Sequence, residues 1–184
     1  MGALLTLARA IDAVNARIGR IAAWLVLAAI LVSAGNAISR KAFSLSSNAW
    51  LELQWYLFGA VFMLAAAWTL KLDQHVRVDV LSSRLPRAYR NILDVIGHAL
   101  FLIPFAAVHV WLAWPFFMSA FRSGEVSSNA GGLLIWPARL VILVGFTLLL
   151  AQGFSELIKR IGVLAGRIPD EGAPDDSDDV RGRE

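Results

Sequence analysis

No cysteine occurs among the 184 residues of this chain, which excludes disulfides, thiolate nucleophiles and cysteine-ligated metals. Histidine is scarce. The three present, His75, His98 and His109, lack the paired ligands and spacing of a zinc site. Neither a glycine-rich phosphate loop nor a nucleophile elbow is found, so nothing supports an enzyme. Gly131-Gly132 is a turn ahead of Trp136-Pro137, not a phosphate cradle. Internal repeats are also missing, and with them the inverted-repeat mark of many self-sufficient transporters. Most informative is the lack of charge in the longest stretches of the chain.

Those stretches dominate the composition: 58% of residues are hydrophobic and the mean hydropathy is +0.62, against roughly 45–50% apolar in a soluble domain. Four blocks stand out, at about 21–38, 50–70, 95–121 and 137–157. Each is long enough to cross a hydrocarbon core, which takes about 20 helical residues. In lipid the backbone must satisfy itself, so each block is expected to be an α-helix. The fold expected is therefore an all-α integral membrane protein with four transmembrane helices, forming a membrane domain over residues 21–165.

Lysine and arginine set the orientation. With four spans, the N-terminus, the middle loop and the C-terminus share one side, which holds eleven basic residues outside the tail. The other side has Arg40, Lys41, Arg122 and, just inside the last helix, Arg139. By the positive-inside rule both termini are expected to be cytoplasmic. Such charge orients a membrane protein; it gives no reason to expect nucleic acid as a partner.

Residues 1–20 place Leu4, Leu7, Ile11, Val14 and Ile18 at helical spacing, with Arg9, Asp12, Asn15 and Arg17 between them. This reads as an amphipathic helix on the inner surface or as an extension of the first span. A cleaved signal peptide competes, but a patterned n-region of this length is unusual. Residues 166–184 form an acidic tail, with seven carboxylates after Pro169 against two arginines. Its composition is that of disordered, solvating sequence.

Glu52 is the lone charge of the second block, close to its start, with Trp50, Trp55 and Tyr56 around it. A carboxylate in a span is a candidate functional residue. The competing reading is structural: a helix N-terminus favours a carboxylate, and Arg40, Lys41 or Arg139 at similar depth offer ion pairs. His98 and His109 stand eleven positions apart on one helix, roughly 16 Å, too far to share a metal. As haem ligands they would need partners from another helix, and no other span has a histidine. Pro104 predicts a kink. Trp50, Trp55, Trp114 and Trp136, with Trp68 at the other interface, form an aromatic belt.

The middle loop is the more distinctive piece. In His75-Val76-Arg77-Val78-Asp79-Val80-Leu81 polar and apolar residues alternate, and Asp79 is placed to cap a short helical turn. A membrane-surface segment held against another protein and a plain connector fit this pattern equally well.

Together these features resemble the small membrane (Q, DctQ-like) subunit of tripartite ATP-independent periplasmic (TRAP) transporters. The likeness rests on Trp50, Glu52 and Trp55, followed by His75, Val76, Arg77, Val78 and Asp79, and on the closing stretch 128–161 with its Trp-Pro start and basic exit. It covers roughly residues 20 to 165. The acidic tail is not a feature the family leads one to expect. The resemblance implies a small permease subunit of a sodium-driven importer of an organic acid in the bacterial inner membrane. Its partners would be a large multi-span (M) permease subunit, a periplasmic substrate-binding protein and membrane lipids. It implies no cofactor in this subunit, sodium being expected in the large one. Trp50, Glu52, Trp55, His75, Arg77, Asp79 and Arg139 would be interface or structural residues. A self-contained homo-oligomeric channel or exporter is the alternative.

Overall fold

A computed structural model describes residues 2–44, 47–72 and 87–169. The middle-loop motif with His75, Arg77 and Asp79, and the acidic tail from residue 170, lie outside the described residues. Among the described residues five α-helices follow in order: α1 Gly2–Phe43, α2 Asn48–Lys71, α3 Arg87–Gly97, α4 Ile103–Ser123 and α5 Trp136–Leu164. A π-turn, His98–Leu102, joins α3 to α4, so the two run as one long helix. Among the described residues four helices are long and apolar enough to cross a membrane, Gly2–Phe43, Asn48–Lys71, Tyr89–Ser123 and Trp136–Leu164. They contain the four blocks expected from the sequence. The first twenty residues are continuous with the first span.

Local chemistry explains the breaks. Gly124 ends α4 in the left-handed conformation, φ 64°, with its N–H donated to the Ala120 carbonyl at 3.1 Å, a conformation glycine adopts without strain. Pro137 falls in the first turn of α5, where its missing N–H is not needed. The expected kink at Pro104 takes the form of the π-turn. Proline has no N–H and its ring strikes the carbonyl four residues earlier. The wider turn accommodates this, and the Ile103 N–H reaches back to the His98 carbonyl.

The helices meet through small side chains. Buried residues recur every seventh position: Ala8, Asn15, Ala22 and Ala29 on α1, Ala60 and Ala67 on α2, Ala106, Ala113 and Ala120 on α4, Gly145 and Gln152 on α5. A seven-residue repeat keeps one seam facing its neighbour in a left-handed crossing, and small residues let the backbones approach. Two glycines mark the closest points. A Cβ on Gly19 would lie 2.6 Å from Trp68 Cβ, and one on Gly145 would lie 2.8 Å from Met63 Cβ. Trp68 thus packs inward on Gly19.

Helix α5 is the hub, packing against α1, α2, α3 and α4, while α1 and α2 also pack on each other. Helix α4 rests mainly on α5. Large apolar side chains therefore face outward in quantity: Trp24, Trp55, Phe62, Phe101 and Trp111 are each at least 70% exposed. For a protein in water this would be an aggregating surface; in a bilayer it is the expected one.

The end of the bundle far from residues 124–135 buries several polar groups. On α1, Leu4, Leu7 and Val14 are exposed while Asn15 is buried; on α3, Tyr89, Ile92, Leu93 and Ile96 are exposed while Asn91 is buried. On the N-terminal part of α1, Asp12 and Asn15 turn toward α5, while Arg9 and Arg17 stay exposed together with Leu4, Leu7 and Val14.

Gly19→Ala is expected to force α1 from α2 and to destabilise the bundle by about 1–3 kcal/mol, the usual cost of overpacking. Gly35, with open space around its Cβ position, supplies the control: Gly35→Ala leaves the melting temperature in mild detergent unchanged.

Candidate functional site

Two polar clusters close the two ends of the bundle. The first is built on Glu52, in the first turns of α2, and the loop between α4 and α5. That loop folds back on itself: Val126 and Leu134 form an antiparallel bridge, the Ser127 N–H reaches the Leu133 carbonyl at 2.9 Å, and the Ile135 N–H reaches the Glu125 carbonyl at 3.0 Å. Gly131 turns its tip with φ 70°. Gly132 sits so close that a Cβ there would lie 2.6 Å from Ser127 Cβ. Glu52 holds this loop from below. Its Oε1 accepts from the Ser127 hydroxyl at 2.5 Å and from Asn129 Nδ2 at 2.7 Å, and its Oε2 accepts from the Leu133 N–H at 2.7 Å. Asn48 and Tyr56, on the same helix, donate to the Ala130 and Leu134 carbonyls at 3.1 and 3.2 Å. One helix end thereby grips the loop at five points.

Arg139 grips the same loop from the other side. Its guanidinium pairs with Glu125 at 2.8 Å, donates to the Phe116 carbonyl at 3.1 Å and lies 4.0 Å over the Phe116 ring. The ion pair considered between Glu52 and Arg139 does not form; Arg139 takes Glu125, and Glu52 takes neutral donors. Trp50 and Trp55 stand beside the clasp with side chains turned out, 48% and 75% exposed. Of the residues singled out in the sequence, the structure brings Glu52 and Arg139 to one loop and leaves the two tryptophans on its outer flank.

The second cluster escaped the sequence reading. Gln152, fully buried on α5, accepts from Asn15 Nδ2 at 2.7 Å and donates to both Asp12 Oδ1 and Glu156 Oε1 at 2.8 Å. Ser155 donates to Asp12 at 2.7 Å, and Lys159 joins Asp12 at 3.0 Å and Glu156 at 2.6 Å. Asn15 Oδ1 remains buried without a partner. Next to it Arg160 links α5 to α3 through Asn91 at 3.1 Å and Asp94 at 3.4 Å. A signal was present: Gln152, Ser155, Glu156 and Lys159 fall at i, i+3, i+4 and i+7, one polar stripe on an otherwise apolar helix.

The histidines bond within their own helix. Nδ1 of His98 donates to the Asp94 carbonyl at 2.6 Å and Nδ1 of His109 to the Phe105 carbonyl at 2.8 Å. His109 also stacks on Phe146 at 4.4 Å. In both clusters a serine hydroxyl is taken up by a carboxylate, Ser127 by Glu52 and Ser155 by Asp12. What they do chemically is hold: one fixes a loop, the other locks α1 and α3 to α5.

A family model described as "Tripartite ATP-independent periplasmic transporters, DctQ component" matches residues 29–162. The chain belongs to the DctQ family. It is thus a component of a TRAP transporter and a multi-pass membrane protein. Comparison with curated proteins and with solved structures gives no match. The matched stretch takes in Glu52, Arg139 and the clasped loop, whereas Asp12 and Asn15 of the second cluster precede it.

For the DctQ chain two outcomes follow. Glu52→Gln replaces an acceptor-only carboxylate by an amide that cannot accept all three bonds, so the amides of residues 127–133 should exchange hydrogen at the rate of an open turn. Gly132→Ala should give the same pattern by displacing Ser127. Gln152→Leu leaves Asp12 and Glu156 each a donor short, and should cost about 1–3 kcal/mol in detergent unfolding.

Proposed function

We propose that this DctQ chain is the small permease subunit of a sodium-driven, binding-protein-dependent importer of an organic acid in the bacterial inner membrane. It braces the large permease subunit and contributes to the surface on which the substrate-binding protein docks. The family match over residues 29–162 carries this reading. Geometry supports it. The span centres bring no charge to mid-depth, where an ion pathway needs polar groups, so substrate and sodium are assigned to the large subunit. The outward apolar faces of α1, α2 and α4 offer lipid and the large subunit an extended contact.

The excess of lysine and arginine on one side supports placing both termini in the cytoplasm. In that orientation the loop 124–135 faces the periplasm, and the clasp of Glu52 and Arg139 gives the binding protein a fixed surface rather than a mobile one. Trp50 and Trp55, on the flank of that loop, then stand at the outer interface. His75, Arg77 and Asp79 belong to the cytoplasmic face, as contacts for the large subunit.

Expression with the large permease should yield a stable complex, and uptake should require both chains and the binding protein. Glu52→Ala should leave membrane insertion intact while lowering uptake. Normal uptake in that variant would remove any docking role for the clasp, and purification of this chain as a lone homo-oligomer would overturn the reading itself.

A further inference from the structure

At the loop end of α4 stands a cation that the clasp does not use. Arg122 makes no ion pair among the described residues, and the carboxylate nearest to it in the chain, Glu125, is held by Arg139 at 2.8 Å. Ser119, one turn back on the same face, makes no side-chain hydrogen bond among the described residues. With Met118, Pro115 and Trp114 these two residues line an open groove of about 360 Å³. The groove lies on the face of α4 turned away from α5, since Ala106, Ala113 and Ala120 take the packed face.

Its polarity changes along the helix in one direction. The charge sits at the helix end, the hydroxyl one turn in, and the apolar wall deeper still. From Arg122 to Trp114 is eight residues, about 12 Å at 1.5 Å per residue.

We propose that this groove binds a membrane phospholipid, its phosphate on Arg122 and Ser119 and the upper part of its acyl chains over Met118, Pro115 and Trp114. A guanidinium and a hydroxyl on one face supply the donors that a phosphate oxygen accepts. The apolar wall supplies the contact for the chains, and an indole is at home where headgroup meets hydrocarbon. A peptide segment fits less well, because its backbone groups would find no partners in the apolar half. The site is independent of the docking role proposed for the clasp, whose hydrogen bonds and ion pair involve neither Arg122 nor Ser119.

The test uses the full-length chain in complex with its large subunit, purified in mild detergent. It is titrated with phosphatidylglycerol, with the matching diacylglycerol and with inorganic phosphate, and adducts are read by native mass spectrometry. Phosphatidylglycerol should bind, with diacylglycerol and Arg122→Gln each weakening retention about tenfold, the scale of one charged hydrogen bond. Phosphatidylglycerol with brominated chains should quench tryptophan fluorescence, and Trp114→Phe should remove that part of the quenching. Equal binding of diacylglycerol, unchanged binding by Arg122→Gln, or free phosphate binding as tightly as the lipid would each overturn the proposal. So would quenching that Trp114→Phe does not alter, which would mean that the large subunit covers the groove.

Discussion

Everything in this fold depends on how closely its helices can approach. Apolar side chains drive no association in lipid, because the surrounding chains are as apolar as leucine. What remains is contact between backbones and the hydrogen bonds that contact permits. The seventh-position alanines and the two tight glycines provide the approach, Gly19 under Trp68 and Gly145 under Met63. Helix α5 carries the most demanding share of it, since α1, α2, α3 and α4 all lean on this one helix.

The polar clusters make sense only on that foundation. Asn15 reaches Gln152, and Asp12 reaches Ser155 and Lys159, because Ala8, Gly19 and Ala22 draw α1 against its neighbours. With these polar groups inside, Leu4, Leu7, Tyr89 and Leu93 face outward on the same segments, beside the exposed Arg9, Arg17 and Arg90. Exposed leucines cost little in an apolar surrounding, where an unpaired polar group costs more. At the loop end the chain cannot pair helix with helix, because α4 and α5 are joined there by irregular backbone. Its peptide groups need partners too, and Glu52, Asn48 and Tyr56 are among those that provide them.

Much of the architecture was legible in the sequence, because span length and the demand for internal backbone pairing leave few alternatives. The four blocks, the turn at Gly131-Gly132 and the disturbance at Pro104 all follow from local chemistry. Glu52 was recognisable as unusual, but not its partners: Ser127 and Leu133 stand 75 and 81 positions away, and a lone carboxylate does not say which distant donor it meets. Opposite charge suggested Arg40, Lys41 or Arg139 as its partner. Geometry gave Arg139 to Glu125, which lies on the near side of the loop. The N-terminal pattern fits an interfacial helix or an extension of the first span; in the structure it continues that span, with Asp12 and Asn15 turned to α5, contacts that helical spacing alone does not reveal.

A subunit of this kind gains function from being difficult to deform. The bracing role proposed for this subunit calls for a part that does not move, and three features of this chain resist motion. The Gly19 and Gly145 contacts leave no room for helix sliding, since a shift along the seam would drive Trp68 or Met63 into backbone. The Gln152 cluster ties α1 to α5 through groups that lose several hydrogen bonds together if one helix turns. The clasp ties α2 to the loop between α4 and α5, so the two halves of the chain are joined at both ends of the bundle. Rigidity at both ends, with uncharged span centres between them, is what a brace requires and what a transport pathway would have to give up. The physical reading of the helices therefore supports the bracing role proposed for this DctQ chain.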